Sequence, residues 1–149
     1  MTPSPSDAER YNEIDLPFYR RELAFLPPQV LDFHAHTWRA VDWKVNPWQT
    51  HTEGANYLVT QPDYPLETLR HDGHRMFPDQ TYHAVVFGYP TPSADLERTN
   101  AYTLEAARHP GLFPLMIAGR DTLPPDTLRQ AFARENWLGY KVFLNWHGD

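Results

Sequence analysis

Four short apolar runs punctuate the chain, at residues 29–36 (QVLDFHAH), 82–89 (YHAVVFGY), 112–118 (LFPLMIA) and 138–145 (LGYKVFLN). Each is bounded by proline, glycine or polar clusters, and their β-branched and aromatic content predicts strands. Between them the apolar positions change to a helical period. Leu66, Leu69, Gly73, Met76 and Phe77 form one stripe. Leu96, Thr99, Asn100, Thr103, Ala106 and Ala107 trace a second, mixed face, for which Ser93 is the expected N-cap. Leu128, Ala131 and Phe132 mark a third helix, opened by Pro124-Pro125. The run 112–118 is apolar on both faces, as in a parallel sheet covered on both sides. Ahead of the first strand, Glu13 to Leu26 carries a short helical pattern ended by Pro27-Pro28, and residues 1–12 read as a loosely attached leader. The chain thus divides into a leader with a short helix (1–28) and one domain (29–149). That domain runs strand, helix, strand, helix, strand, helix, strand, with later strands about 25–30 residues apart, the length of a βα unit. The fold class is α/β, built of parallel (β/α) units.

Composition narrows the chemistry. The 149 residues are 41% hydrophobic and 14% aromatic, enough for one packed core. A net charge of −6 argues against nucleic acid and anionic membrane as partners. With no cysteine, disulfides, thiolate nucleophiles and Cys-based zinc sites are excluded. The first fifteen residues lack a signal peptide's apolar segment, and no run has the length to span a bilayer, so the expected location is the cytoplasm. Neither G-x-G-x-x-G nor a Walker A motif occurs, which disfavours a nucleotide-binding domain.

The stretch Asp32-Phe-His-Ala-His36 carries the sharpest chemical signal. In a regular strand Val30, Asp32, His34 and His36 share one face. The two imidazoles then stand one above the other, within reach of one metal ion, and Asp32 is placed to hold an imidazole N–H from behind. In a chain with eight histidines such a pair is a weak motif, and two histidines hydrogen-bonded in a core fit it as well. The long irregular segment that follows, residues 37–65, holds Trp38, Trp43, Trp48 and His51. The tryptophans pack as a satellite core or wall an apolar substrate pocket, and both can hold together. His71 and His74 flank the first helical stripe and read as solvated. In parallel βα architectures the strands' C-terminal ends carry the site. His34, His36, Tyr89, Arg120, Asn145 and His147 all fall there. Trp38, Arg120, Asn145 and His147 are candidates for substrate contact, with Arg120 equally readable as a loop arginine. Alternation puts Lys141, Phe143 and Asn145 on one face of the fourth strand, which makes Lys141 either a site lysine or an edge guard.

Asp32-Phe-His34-Ala-His36, the later βα units and Gly139-Tyr-Lys141 with its continuation GYKVFLNWHGD together resemble the amidohydrolase superfamily. The resemblance is to the amidohydrolase-related branch that includes aminocarboxymuconate-semialdehyde decarboxylase, over residues 29–149. It implies the first half of a TIM-barrel-type (β/α)8 fold with about four strands present, and one divalent metal, zinc before manganese, at the C-terminal mouth. His34 and His36 match the first-strand ligands. Lys141 matches the strand-four lysine, which is carboxylated and bridging in binuclear relatives, whereas this branch is more usually mononuclear. The implied activity is metal-dependent hydrolysis, or decarboxylation, of a small carboxylated or cyclic molecule. A non-catalytic α/β association module with a vestigial histidine pair is the alternative. A full barrel takes about 250 residues. The family's later histidines and its strand-eight aspartate have no counterpart here. The expectation is therefore a half that lacks full activity alone and is completed by a missing C-terminal half or by homo-oligomerisation.

Overall fold

The computed structural model describes residues 6–44, 63–89, 93–118 and 125–142. Arg120, Asn145 and His147, together with Trp48 and His51, lie outside them. The chain enters as α1 (Asp7–Arg10), a π turn (Tyr11–Asp15) and α2 (Leu16–Glu22). It continues through β1 (Gln29–His36), a short 3-10 turn (Ala40–Asp42), α3 (Leu66–Met76) and β2 (Thr81–Phe87). Then come α4 (Leu96–Leu104) with a 3-10 extension (Glu105–Arg108), β3 (Leu112–Ala118), α5 (Pro125–Arg134) and β4 (Gly139–Val142). The four strands form one curled parallel sheet in the order β1-β2-β3-β4, as the alternation of strand and helix signals predicts. No helix among the described residues is long and apolar enough to cross a membrane.

The leader departs from expectation. Residues 7–22 are helical, and Ser6 starts them with a capping box: its hydroxyl accepts from the Glu9 amide while the Glu9 carboxylate accepts from the Ser6 amide. The segment is tied to α3, since the Tyr11 hydroxyl donates to the Arg75 carbonyl and the Arg75 guanidinium lies 4.3 Å from the Tyr11 ring centre. The cap of α4 also differs. Asp95, rather than Ser93, accepts from the Arg98 amide.

The helices pack on one face of the sheet. Leu66 and Leu69 of α3, with Tyr102 of α4 and Ala106 just beyond it, close over Ala35, Tyr82, Ala84, Val86 and Leu112. Strand alternation fixes the membership: Tyr82, Ala84 and Val86 point to the helices, and His83, Val85 and Phe87 point the other way. The second face is the concave one, and no helix among the described residues covers it. Leu31 is 41% exposed and Phe113 39%, while Phe33 at the β1 edge is 74% exposed. At the C-terminal end β2 and β3 part after Val86 and Pro114. There the Asn100 side chain replaces the ladder: its amide donates to the Ile117 carbonyl and its oxygen accepts from the Ile117 amide, both at 2.9 Å.

At Gly73 helix α3 comes close against the sheet. A methyl group at this position would land in the ring of Tyr82, which is itself stacked on Phe77. Helix propensity favours alanine over glycine by about 1 kcal/mol, but overpacking a core costs about 1–3 kcal/mol. Gly73→Ala is therefore expected to lower the unfolding free energy in urea titrations. A rise would show that the Tyr82 ring yields at no cost.

Candidate functional site

The pairing of β1 with β2 positions the histidines. Gln29 through Asp32 pair in step with Thr81 through Ala84, but the next partners are Ala35 with Val86. β1 therefore carries one extra residue between Asp32 and Ala35, a bulge that reverses the phase of alternation. Val30, Asp32 and Ala35 fall on the helix side. His36, opposite Phe87, falls on the concave side, and the His34 ring joins it there. This corrects the regular strand expected from the sequence, in which Asp32 lines up with both rings. The Asp32 carboxylate meets no imidazole. One oxygen accepts from the His34 backbone amide at 2.8 Å, and the other accepts from the Tyr82 hydroxyl at 3.2 Å.

The two imidazoles converge. His34 Nε2 and His36 Nε2 are 3.2 Å apart, and Lys141 Nζ is 3.2 Å from His34 Nε2. Phe87, 1% exposed, forms the floor. Its ring meets the edges of His34 and His36 at centroid distances of 5.0 and 4.4 Å, and Lys141 Nζ lies 3.8 Å above it. Lys141 reaches this point because it pairs with Ile117 on the concave side, while Tyr140 turns back to Phe132 of α5. The alternation read from the sequence thus holds over Gly139–Val142, and Phe143, Leu144 and Asn145 lie outside the described residues.

Proton placement follows from the partners. His36 Nδ1 is 3.0 Å from the Gly88 carbonyl, which can only accept, so Nδ1 carries the hydrogen. His36 is held neutral: burial, reinforced by electrostatic repulsion from the His34 and Lys141 side chains, pulls its pKa down to about 4, against the opposing Gly88 bond. Its Nε2 is therefore a bare lone pair facing His34. Burial also lowers the pKa of Lys141. His34 Nε2 holds either a hydrogen, which it donates to the bare His36 Nε2, or one lone pair, which accepts from Lys141 Nζ. A cation shared by the two Nε2 atoms would take the place of either bond. Zinc–nitrogen bonds of about 2.0–2.1 Å at a tetrahedral angle separate two ligand nitrogens by about 3.3 Å, close to the observed spacing. The donor chemistry thus fits two ligands of a divalent ion. Among the described residues no group of three His, Cys, Asp or Glu side chains converges to complete the set.

The loop after β1 is braced around this cluster. Thr37, fully buried, donates from its amide to the Phe87 carbonyl and from its hydroxyl to the Tyr64 carbonyl. Trp38 exchanges two backbone hydrogen bonds with Tyr64 and stacks on its ring. Tyr89 gathers His36, Trp38 and Trp43 at centroid distances of 5.5–6.0 Å. Trp38 and Trp43 therefore pack as a satellite core, and that core abuts the His36 ring. The Arg39 guanidinium grips buried Asp42 with two bonds and lies 3.9 Å from the Tyr102 ring centre. His71 and His74 are exposed on α3, away from the cluster. A cavity of about 540 Å3 lies at the opposite, N-terminal ends of β3 and β4, among Arg108, His109, Phe113 and Trp137.

Phe87 and Gly88 contribute to the site but carry no motif. Their signal is positional, since they end the strand that pairs with β1. Gly88 is needed because a Cβ there would meet the methyl of buried Thr99. Comparisons with family models, curated proteins and solved structures found no match to the chain.

The depressed His36 pKa has a sign. The unfolded chain takes up this proton near pH 6.5 and the folded chain only near pH 4. Above about pH 6.5 both states hold a neutral ring and no penalty arises; as pH drops from about 6.5 toward 4 only the unfolded chain takes the proton, and stability falls by up to about 3 kcal/mol. With chelator present, urea titrations between pH 7 and pH 4 are expected to show this loss, and His36→Phe to flatten it. An equal acid loss in the variant would place its origin elsewhere.

Proposed function

We propose that this chain carries the first-strand half of a divalent-metal centre of the amidohydrolase type, used in hydrolysis of a small carboxylated or cyclic substrate. The observation behind this reading is the 3.2 Å approach of His34 Nε2 and His36 Nε2 at the C-terminal end of β1, with Lys141 beside them. His34 and His36 would hold the ion, zinc before manganese. Such an ion lowers the pKa of a bound water and polarises a carbonyl.

The chain's own residues have distinct parts in this scheme. The Gly88 carbonyl fixes the His36 tautomer, leaving Nε2 to bind. Phe87 keeps water from beneath the rings. Lys141 brings a cation to the site's edge, suited to a substrate carboxylate. Trp38 reaches the site through Tyr89 as part of its wall. Arg120, Asn145 and His147 are proposed as further substrate contacts. Decarboxylation by the same centre is the variant chemistry, with the substrate carboxylate as the group lost. A catalytic zinc takes about three protein ligands, so further strands, from a second copy of the chain or from another polypeptide, are part of the proposal.

Metal content tests it. Full-length protein dialysed against zinc is expected to retain close to one ion per chain by elemental analysis, and to melt at higher temperature with excess zinc. His34→Ala and His36→Ala are each expected to weaken binding at least tenfold while keeping the native circular dichroism. Zinc content that is negligible in the parent, or unchanged in both variants, would sink the reading.

The concave face, on which no helix among the described residues packs, favours a second reading, an association module. Leu31, Phe33 and Phe113 expose apolar surface on a sheet whose edges, β1 and β4, pair with no further strand among the described residues. Light scattering is expected to give a mass above the monomer at about 0.1 mM protein, and Phe33→Glu to reduce it. A parent that stays monomeric at that concentration would remove this reading.

A further inference from the structure

We infer that Asp32, braced by Tyr82, is the positioning residue for His34, acting on its backbone and not on its ring. The inference deepens the metal reading and rests on it for the ligand, but the geometry is independent of any ion. Asp32 Oδ1 accepts from the His34 amide at 2.8 Å, inside the stretch where β1 and β2 fall out of step. A carboxylate bonding the amide two residues on closes a local turn that competes with regular strand. Here it stabilises the bulge. Asp32 Oδ2 accepts from the Tyr82 hydroxyl at 3.2 Å, and Tyr82 is core: 8% exposed and stacked on Phe77 at 5.8 Å. Both carboxylate oxygens are therefore committed, one to the amide that the bulge reorients and one to a rigid ring of the neighbouring strand.

The consequence falls on His34. A one-residue change in strand phase moves a side chain to the opposite face. Without the bulge, His34 and His36 would keep the phase of Asp32 and point at the helices. With it, both rings lie over Phe87. The side chain requirement is narrow. Alanine supplies no acceptor. Asparagine keeps the acceptor oxygen for the His34 amide, and its NH2 can donate to the Tyr82 hydroxyl oxygen in place of the original bond.

Nuclear magnetic resonance on the full-length chain, with chelator present, separates this from the metal reading. In Asp32→Ala the His34 amide is expected to exchange at least tenfold faster, and the contacts of the His34 and His36 ring protons with the Phe87 ring to vanish, while core resonances around Ala84 stay native. Asp32→Asn is expected to keep the ring contacts and hold exchange within about threefold of the parent. Zinc titration is expected to follow the same order, with a loss of about 10–100-fold in Asp32→Ala and recovery in Asp32→Asn. Unchanged ring contacts and exchange in Asp32→Ala would overturn the inference, and so would an Asp32→Asn as impaired as the alanine variant. Should Asp32→Ala not fold, Tyr82→Phe decides: faster His34 exchange with weakened ring contacts supports the brace, and unchanged values overturn it. If the ring contacts obey this pattern in a protein that binds no zinc, the positioning role stands and the metal reading falls.

Discussion

Between Asp32 and Ala35 the first strand carries one residue more than the strand it pairs with, and the geometry of the candidate site descends from that mismatch. A parallel ladder without it would bury both imidazoles against the helices, where Leu66, Leu69 and Tyr102 already fill the space. The bulge instead lets one strand serve two faces. Val30 and Ala35 stay in the core, and His34 and His36 turn over Phe87. Bulges interrupt ladder hydrogen bonding, so they need support from outside it. Asp32 provides that support with an oxygen for the His34 amide.

Burial then sets the chemistry. Phe87 is almost wholly enclosed, and the rings standing on it lose water on that side. For His36 the lost hydration outweighs the Gly88 carbonyl that would otherwise favour the protonated ring, so the imidazole stays neutral across the physiological range. Neutral imidazole is the form that binds metals. Lys141, drawn over the same aromatic ring, adds positive charge that disfavours a second cation on the imidazoles in the form of a proton. A divalent ion meets the same repulsion, and gains against it only through two directed nitrogen lone pairs.

Much of this was legible in the residues. The strand at 112–118 matches its apolar run residue for residue, because proline, glycine and polar neighbours bound it sharply. The concave placement of Lys141 follows from simple alternation with Tyr140 and Val142. The bulge did not show, because QVLDFHAH alternates without a break and a register shift is a property of two strands, not one. For the same reason, alternation aims the Asp32 carboxylate at an imidazole, whereas it accepts from the His34 backbone amide. The helix from Asp7 was missed although its signal was present: Ser6 and Glu9 have capping-box spacing, obscured by the proline-rich start of the chain. Phe87 and Gly88 became relevant only once β2 was laid beside β1.

The concave face ties the two proposed readings together. All-parallel sheets occur almost only with both faces covered, and among the described residues this sheet has helices on one. The other face holds the His34, His36 and Lys141 cluster at one end and exposes Phe113 near the N-terminal end of β3. A sheet that curls toward an eight-stranded barrel would enclose this face with side chains from further strands. Those strands would remove the open edges at β1 and β4, dry the ring cluster, and bring ligands to the side of the cluster that faces away from Phe87. Under the two proposed readings, apolar cover and a third metal ligand would be two demands on one and the same neighbour of the concave face.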